Sequence, residues 1–163
     1  MICAAFEARA ILPNKRRFDL TIRAAEISDA AALAQLMCEL GYETTKSEMQ
    51  RRMERIAVDE RYRTFVAMRD GKVCGMIGTV TNPSYEHNDP SGRILALATL
   101  STVRRRGIGR ALIATAEKDF VQRGIRRVAL NTQLTRGDAH KFYESLGYER
   151  NGWRFVKQLS VRD

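Results

Sequence analysis

A chain of 163 residues suits one domain able to bury a real core, and its 44% hydrophobic, 29% charged composition is ordinary for a globular protein. Its longest apolar runs fall far short of a membrane span, so no membrane partner is expected. The formal charge of +9 asks instead for an acidic partner: a phosphorylated cofactor, a nucleic acid or an anionic surface.

Residues 1–17 lack the basic start and long apolar centre of a secretion signal and read as an N-terminal extension, with one domain over 18–163. Asp19 to Ala24 alternates as a first strand. Ser28-Asp29 offers an N-cap to a helix whose Leu33, Leu36, Met37 and Leu40 recur at helical spacing, and Gly41 stops it. Ser47 with Gln50 predicts a capping box for a second helix to about Val58, apolar at Met49, Met53, Ile56 and Ala57. Thr64 to Met68 reads as a strand, and Asp70-Gly71 as a hairpin turn into Val73 to Val80. Asn82 to Gly92 is a loop. Ile94 to Leu100 is nearly continuously apolar, as in a strand covered on both faces.

Gly107 to Gln122 reads as a helix lined by Leu112, Ile113, Ala116 and Phe120 and ended by Gly124. Arg127 to Asn131 is a further strand, Asp138 caps a short helix to about Leu146, and Gly147 closes it. Tyr148 to Gln158 predicts one or two final strands turning near Asn151-Gly152. No repeat or low-complexity linker interrupts this order.

The start of the third helix breaks two rules. Arg104, Arg105 and Arg106 stand at the positive end of the macrodipole, and no Ser, Asp or Asn lies immediately before Gly107 to accept the first N–H groups. Gly107 and Gly109 each cost roughly 1 kcal/mol against Ala if helical. A bound polyanion resolves all of this, since its oxygens accept the free N–H groups and approach a backbone without Cβ atoms. In the alternative, Thr102 caps a helix that starts one turn earlier and the arginines form a solvated face. Leu112 stands where a dinucleotide fingerprint needs another glycine, and the Gly-Lys-Ser/Thr ending of a Walker loop is absent.

Cys3, Cys38 and Cys74, with only His87 and His140, lack metal-ligand spacing, so no metal site is expected, and free thiols point to a reducing cytoplasm. Basic runs at Lys15-Arg16-Arg17, Arg51-Arg52 and Arg126-Arg127 lack the aromatic strand of a single-strand platform, so they read as solvated faces and no nucleic acid is expected.

Two motifs carry a family resemblance. Arg104-x-x-Gly107-x-Gly109 follows an apolar strand and opens a helix. Ala139-His140-Lys141-Phe142-Tyr143-Glu144-Ser145-Leu146-Gly147-Tyr148 has the form Ala-x-x-Phe-Tyr-x-x-x-Gly-aromatic. Together, with the order of elements, they resemble the GNAT superfamily of acyl-CoA-dependent N-acetyltransferases, over about residues 20 to 160. The resemblance implies an α/β (α+β) fold with a central mixed, mostly antiparallel sheet of six to seven strands flanked by about four helices. It also implies acetyl-CoA as cofactor, an amine-bearing acceptor and, by analogy alone, a homodimer.

It assigns residues as well. The N–H groups of Arg106, Gly107, Ile108, Gly109, Arg110 and Ala111 would hold the pyrophosphate, with the side chains of Arg104, Arg105, Arg106 and Arg110 adding Coulomb attraction. Leu97, Ala98 and Thr99 would offer main-chain groups to the pantetheine arm at a splay between two strands, and Ala98 or Thr99 an N–H to the oxyanion. Asn131 would reach a pantetheine amide or simply end its strand. Tyr143 would be the general acid, its ordinary pKa of ~10 keeping it protonated, with Phe142 beside it at the cofactor, or the two would simply pair as the core face of their helix.

The family's strand glutamate is missing, since Arg93 to Thr99 holds no carboxylate. A water chain, Glu86, His87, Tyr42 or Glu43 is then the base. Acceptor walls are expected from Tyr42, Glu43, Tyr85, Glu86, Asp89 and Trp153. Cys38 and Cys74, on apolar faces, do not read as acyl-carrying nucleophiles. Besides acetyl transfer to an amine by direct attack, a non-catalytic acyl-CoA sensor of the same fold and a nucleic-acid binder are the rival functions.

Overall fold

A computed structural model describes residues 20–159; the 1–17 extension, Cys3 and Asp19 lie outside the described residues. Leu20–Ala24 (β1), Tyr62–Arg69 (β2), Lys72–Asn82 (β3), Ser91–Thr99 (β4) and Val128–Leu130 (β5) form one sheet in the order β1-β2-β3-β4-β5. Asp70 and Gly71 take φ of 49° and 73°, the two left-handed positions of a type I′ turn, and Arg69 therefore faces Lys72 across the β2–β3 hairpin. The first four strands are antiparallel to their neighbours. β5 returns parallel to β4 after a helical crossover.

Period-two alternation divides the core between the two faces of this sheet. Val66, Met76 and Ala98 pack under Leu33 and Leu36 of Ala30–Glu39 (α1) and Met49 and Met53 of Lys46–Ala57 (α2). Ala67, Ile77 and Ile94 pack under Ile108, Leu112, Ile113, Ala116 and Phe120 of Ile108–Gln122 (α3). Gly137–Glu144 (α4) adds Phe142 and Tyr143 to that second cluster. Gly41, Gly124 and Gly147, the expected helix stops, all lie at positive φ.

Several expectations are corrected. The sheet has five strands among the described residues, not six or seven. The segment expected to supply the others, Tyr148 to Gln158, forms no strand, and Trp153 and Phe155 stand 78% and 93% exposed. An alternating pattern becomes a strand only where an edge receives its ladder, and β5 offers three residues. The α2 capping box is Thr45 with Glu48, not Ser47 with Gln50: Thr45 N–H donates to Glu48 Oε2 (2.8 Å) and Glu48 N–H to Thr45 Oγ1 (3.3 Å). A glutamate carries the negative charge that the helix start favours and Gln50 does not. Asp138 lies in the first turn of α4, behind Arg136 at the cap. Thr102 sits in a separate 3-10 turn, Ser101–Val103, and does not cap α3. β4 is not covered on both faces throughout, because Leu95 is 53% exposed.

Gly92 seats β4 against the crossover helix. A Cβ there would stand 2.7 Å from the ring of Phe120, which is 1% exposed and cannot swing away. The strand cannot retreat either, since Gly92 N–H donates to Arg127 O at 2.8 Å. Gly92→Ala is expected to destabilise by about 1–3 kcal/mol, the usual cost of overpacking, read as a lower urea midpoint. An unchanged midpoint would refute this packing.

Candidate functional site

The site begins where β4 and β5 part. Their pairing runs from Gly92↔Val128 to Ile94↔Leu130 and stops. At the same place β4 slips against β3: Ile94 faces Thr79, Ala96 faces Gly78, and Leu95 has no opposite residue. Such a bulge reverses the phase of everything after it. Gly92 N–H points to β5, donating to Arg127 O at 2.8 Å, whereas Leu100 N–H points the other way, donating to Cys74 O on β3 at 3.0 Å. Alternation back from Leu100 turns the main-chain groups of Leu97 and Thr99 toward the edge that β5 has left, and Ala98 toward β3.

The turn after β4 leads to the start of α3. Arg105 and Gly107 take left-handed φ of 60° and 80°, and Gly107 occupies the N-cap with no side-chain cap bond. Arg104 and Arg105 form a hydrogen-bonded turn that closes on Arg106, and the next N–H with an acceptor is Ala111, which donates to Gly107 O at 3.0 Å. Among the described residues the N–H groups of Gly107 through Arg110 find no acceptor. Left-handed residues within such a run shape a concave anion nest. Gly109 faces α4: a Cβ there would lie 3.3 Å from Phe142 Cζ, so the two sequence motifs meet.

The arginines are not equivalent. Arg104 is held by Glu39 (Nη2 to Oε2, 2.7 Å), Arg105 stands 4.0 Å from Asp138 with both exposed, and Arg110 reaches Ser145 Oγ at 3.4 Å. Arg106 has no ion pair among the described residues. Glu39 also accepts Ser101 N–H (3.0 Å) and Ser101 Oγ–H (2.9 Å). Those bonds, the Ser101 N–H foremost, with Arg104 adding Coulomb attraction, hold the Glu39 carboxyl below the usual carboxylate range. No local pattern marks Glu39, because its partners are 62 and 65 residues away.

A cavity of about 670 Å³ follows Leu97, Ala98 and Thr99 to Arg104 and to Thr135–Lys141 at the start of α4. A second, of about 630 Å³, shares Leu40 with it and is walled by Tyr42, Glu43, Arg52, Leu95 and Ala96. Arg136 joins the two sides by donating to Leu40 O at 2.8 Å. Tyr42 and Glu43 are thus brought to β4, but Glu86 and His87 wall neither cavity, and their N–H groups turn to Ser84 Oγ. Tyr85 and Trp153 are exposed, and Asp89 pairs with Arg127 at 2.8 Å.

Tyr143 packs edge-on to Phe142 and Tyr148, with centroids 5.2 and 5.9 Å apart. It is not among the residues walling either cavity, although Ala139 and Lys141 of the same helix wall the first. Its hydroxyl has no hydrogen bond among the described residues. Burial pushes this phenol above its ordinary pKa, with Arg136 pulling the other way, so it stays protonated at neutral pH. Tyr148 is raised further by burial and by donating to Glu117 Oε1 at 2.9 Å. Asn131, just past β5, lies between Arg93 and the Leu130 carbonyl; with its amide turned to satisfy both, Oδ1 accepts from Arg93 Nη2 (2.6 Å) and Nδ2 donates to Leu130 O (3.3 Å). Among the described residues no three His, Cys, Asp or Glu side chains gather to hold a metal, and no helix is long and apolar enough to cross a membrane.

Residues 30–148 match the model of the acetyltransferase (GNAT) family. The chain is 32% identical over 143 residues to an aminoalkylphosphonate N-acetyltransferase of Salmonella typhimurium, covering 85% of this chain and 90% of that one. A GNAT family acetyltransferase of Staphylococcus aureus superposes with a TM-score of 0.74 at 26% identity, over 86% of this chain and 98% of the other. An aminoglycoside N-acetyltransferase solved in complex with CoA shares the fold, with a TM-score of 0.80 at 19% identity over 91% and 99% of the two chains.

Glu39 couples this site to acidity. A carboxyl held low in the fold contributes stability above its unfolded pKa and loses it as pH falls through the folded value. Glu39→Gln is therefore expected to lower the melting temperature at neutral pH, with the gap to the wild type closing below the ordinary carboxylate range. A gap that does not vary with pH would contradict the assignment.

Proposed function

This chain belongs to the acetyltransferase (GNAT) family, and from that premise we propose that it transfers an acetyl group from acetyl-CoA to the primary amine of an acceptor, by direct attack in a ternary complex. Acetyl-CoA would supply the activated thioester; the protein's share is binding, orientation and proton handling. The observation that carries the reading is the run of unaccepted N–H groups from Gly107 to Arg110 at the α3 start. Such a nest fits a pyrophosphate in both charge and donor geometry. Arg106 and Arg110 stand beside it for Coulomb attraction, and Arg104 is shared with Glu39.

In this reading the parted edge of β4 receives the pantetheine arm, and Leu97 and Thr99 supply its main-chain partners. Alternation favours the Thr99 N–H over that of Ala98 as the oxyanion donor. Tyr143 donates its phenolic proton to the departing sulfur, a role supported by its protonated state and by the contact between its helix and the Gly109 loop. Asn131 stays close to the strand end, with Arg93 holding its carbonyl. Glu43 is the proposed base: it walls the cavity beside β4, whereas Glu39 is tied to Ser101 and Arg104 and is a weak base. A carboxylate at that position removes the reason for preferring a sensor without turnover. Cys74 is a buried free thiol, whereas Cys38, expected on an apolar face, is exposed; both are free, in keeping with a cytoplasmic location.

Two variants test this. Tyr143→Phe is expected to slow thiol release roughly a hundredfold or more, in the range of a lost general acid, with affinity for acetyl-CoA retained. Unchanged turnover would remove Tyr143 from the mechanism. Gly109→Glu, which sets a side chain and a negative charge into the nest, should abolish measurable acetyl-CoA binding by calorimetry. Undiminished affinity would reject the nest as the pyrophosphate site.

A further inference from the structure

The second cavity carries opposite charges on one concave wall, Glu43 and Arg52, over an apolar floor that includes Leu40, Leu95 and Ala96. Arg52 is the informative one. It makes no ion pair among the described residues; its Nη1 donates instead to the neutral hydroxyl of Thr44, at 3.1 Å. That hydroxyl donates to Tyr42 O at 3.0 Å, so the loop itself holds the guanidinium at the cavity. Glu48, one helical turn before Arg52, would be its natural i,i+4 partner. It is engaged instead in the capping box, with Oε2 taking Thr45 N–H and Thr45 Oγ1–H, each at 2.8 Å. Arg23, Arg61, Arg104, Arg123, Arg127 and Arg150 each face a carboxylate, whereas Arg52, like Arg106 at the nest, does not.

A planar fork with donors to spare, facing a cavity and with no carboxylate in direct contact, is suited to an oxyacid group. A simple alkylamine would leave it unmatched and would bring a second cation toward it.

Resting on the acetyl-transfer reading above, we infer that the acceptor is an amine whose other end is an anionic oxyacid such as a phosphonate, and that Arg52 is the residue that reads that group. The acid end lies in the second cavity, and the amine points past Leu40 toward Leu97 and Thr99, with Glu43 on the way. The acceptor of the Salmonella relative has this chemistry, but the assignment of Arg52 comes from the cavity of this chain.

The test compares the wild type with Arg52→Gln and Arg51→Gln. Arg51 carries the same charge one residue away and does not wall the cavity. Thiol release gives kcat/KM for 2-aminoethylphosphonate and for propylamine. Calorimetry gives the binding of 2-aminoethylphosphonate to the protein saturated with CoA. The wild type is expected to prefer the phosphonate, and Arg52→Gln to lower that preference about tenfold or more, the range of a lost charge-assisted hydrogen bond. Arg51→Gln should leave the preference in place. A wild type without preference, a preference that survives Arg52→Gln, or an equal loss in Arg51→Gln overturns the inference. If no amine releases thiol, the transferase reading fails by itself and the calorimetric arm still decides: binding lost only in Arg52→Gln supports Arg52 as the reader, and binding absent from the wild type or unaffected by the substitution refutes it.

Discussion

The parting of β4 from β5 is the constraint on which the rest of the site depends. A parallel neighbour would have satisfied the main chain of Leu97 and Thr99, leaving a closed sheet and no channel. One extra residue, Leu95, reverses the phase of β4 where β5 ends, so the strand stays bonded to β3 while its other edge faces open space. The bulge also pushes Leu95 outward, where it floors the second cavity. A single irregularity thereby serves both sides of the site.

The surrounding structure holds that opening in place with cations at the end of α1. Arg104 from the turn before α3 and Arg136 from the α4 side converge on Glu39 and on the Leu40 carbonyl, where the helix dipole is negative. Ser101 completes the bridge from β4. The loop that follows, with Tyr42, Glu43 and Thr44, is thus anchored to the same residues that border the nest. The nest itself is costly in isolation. Arg105 at a left-handed φ costs of order 1–3 kcal/mol, and the consecutive N–H groups from Gly107 to Arg110 lack acceptors among the described residues. Packing of Ile108 and Leu112 under the sheet holds the helix start in this conformation. A ligand's oxygens, in the proposed reading, complete it.

Features governed by neighbours in sequence were legible before the fold was seen. Asp70-Gly71 made its turn because only two left-handed residues fit there. The stripe Leu112, Ile113, Ala116 and Phe120 buried as spaced. The odd start of α3 was visible because cap chemistry is local. What depends on distant partners was not legible. The bulge at Leu95 arises from register against Gly78 and Thr79, and nothing in an apolar run marks it. Glu39 is an ordinary helix-end glutamate until Ser101 is folded beside it. The capping box of α2 was misplaced by two residues because Thr45-Glu48 and Ser47-Gln50 overlap and only charge separates them. The last strands failed because alternation in Tyr148 to Gln158 specifies a face but not an edge to join.

Hydrogen exchange at single amides tests the central claim most directly. In the free protein the N–H groups of Leu97, Thr99 and Gly107 to Arg110 should exchange fast, as donors without acceptors do. On addition of acetyl-CoA the same amides should slow together, while those bonded between β2 and β3 stay as they were. Protection of these amides before any ligand is added, or fast exchange persisting at saturating acetyl-CoA, would contradict the account.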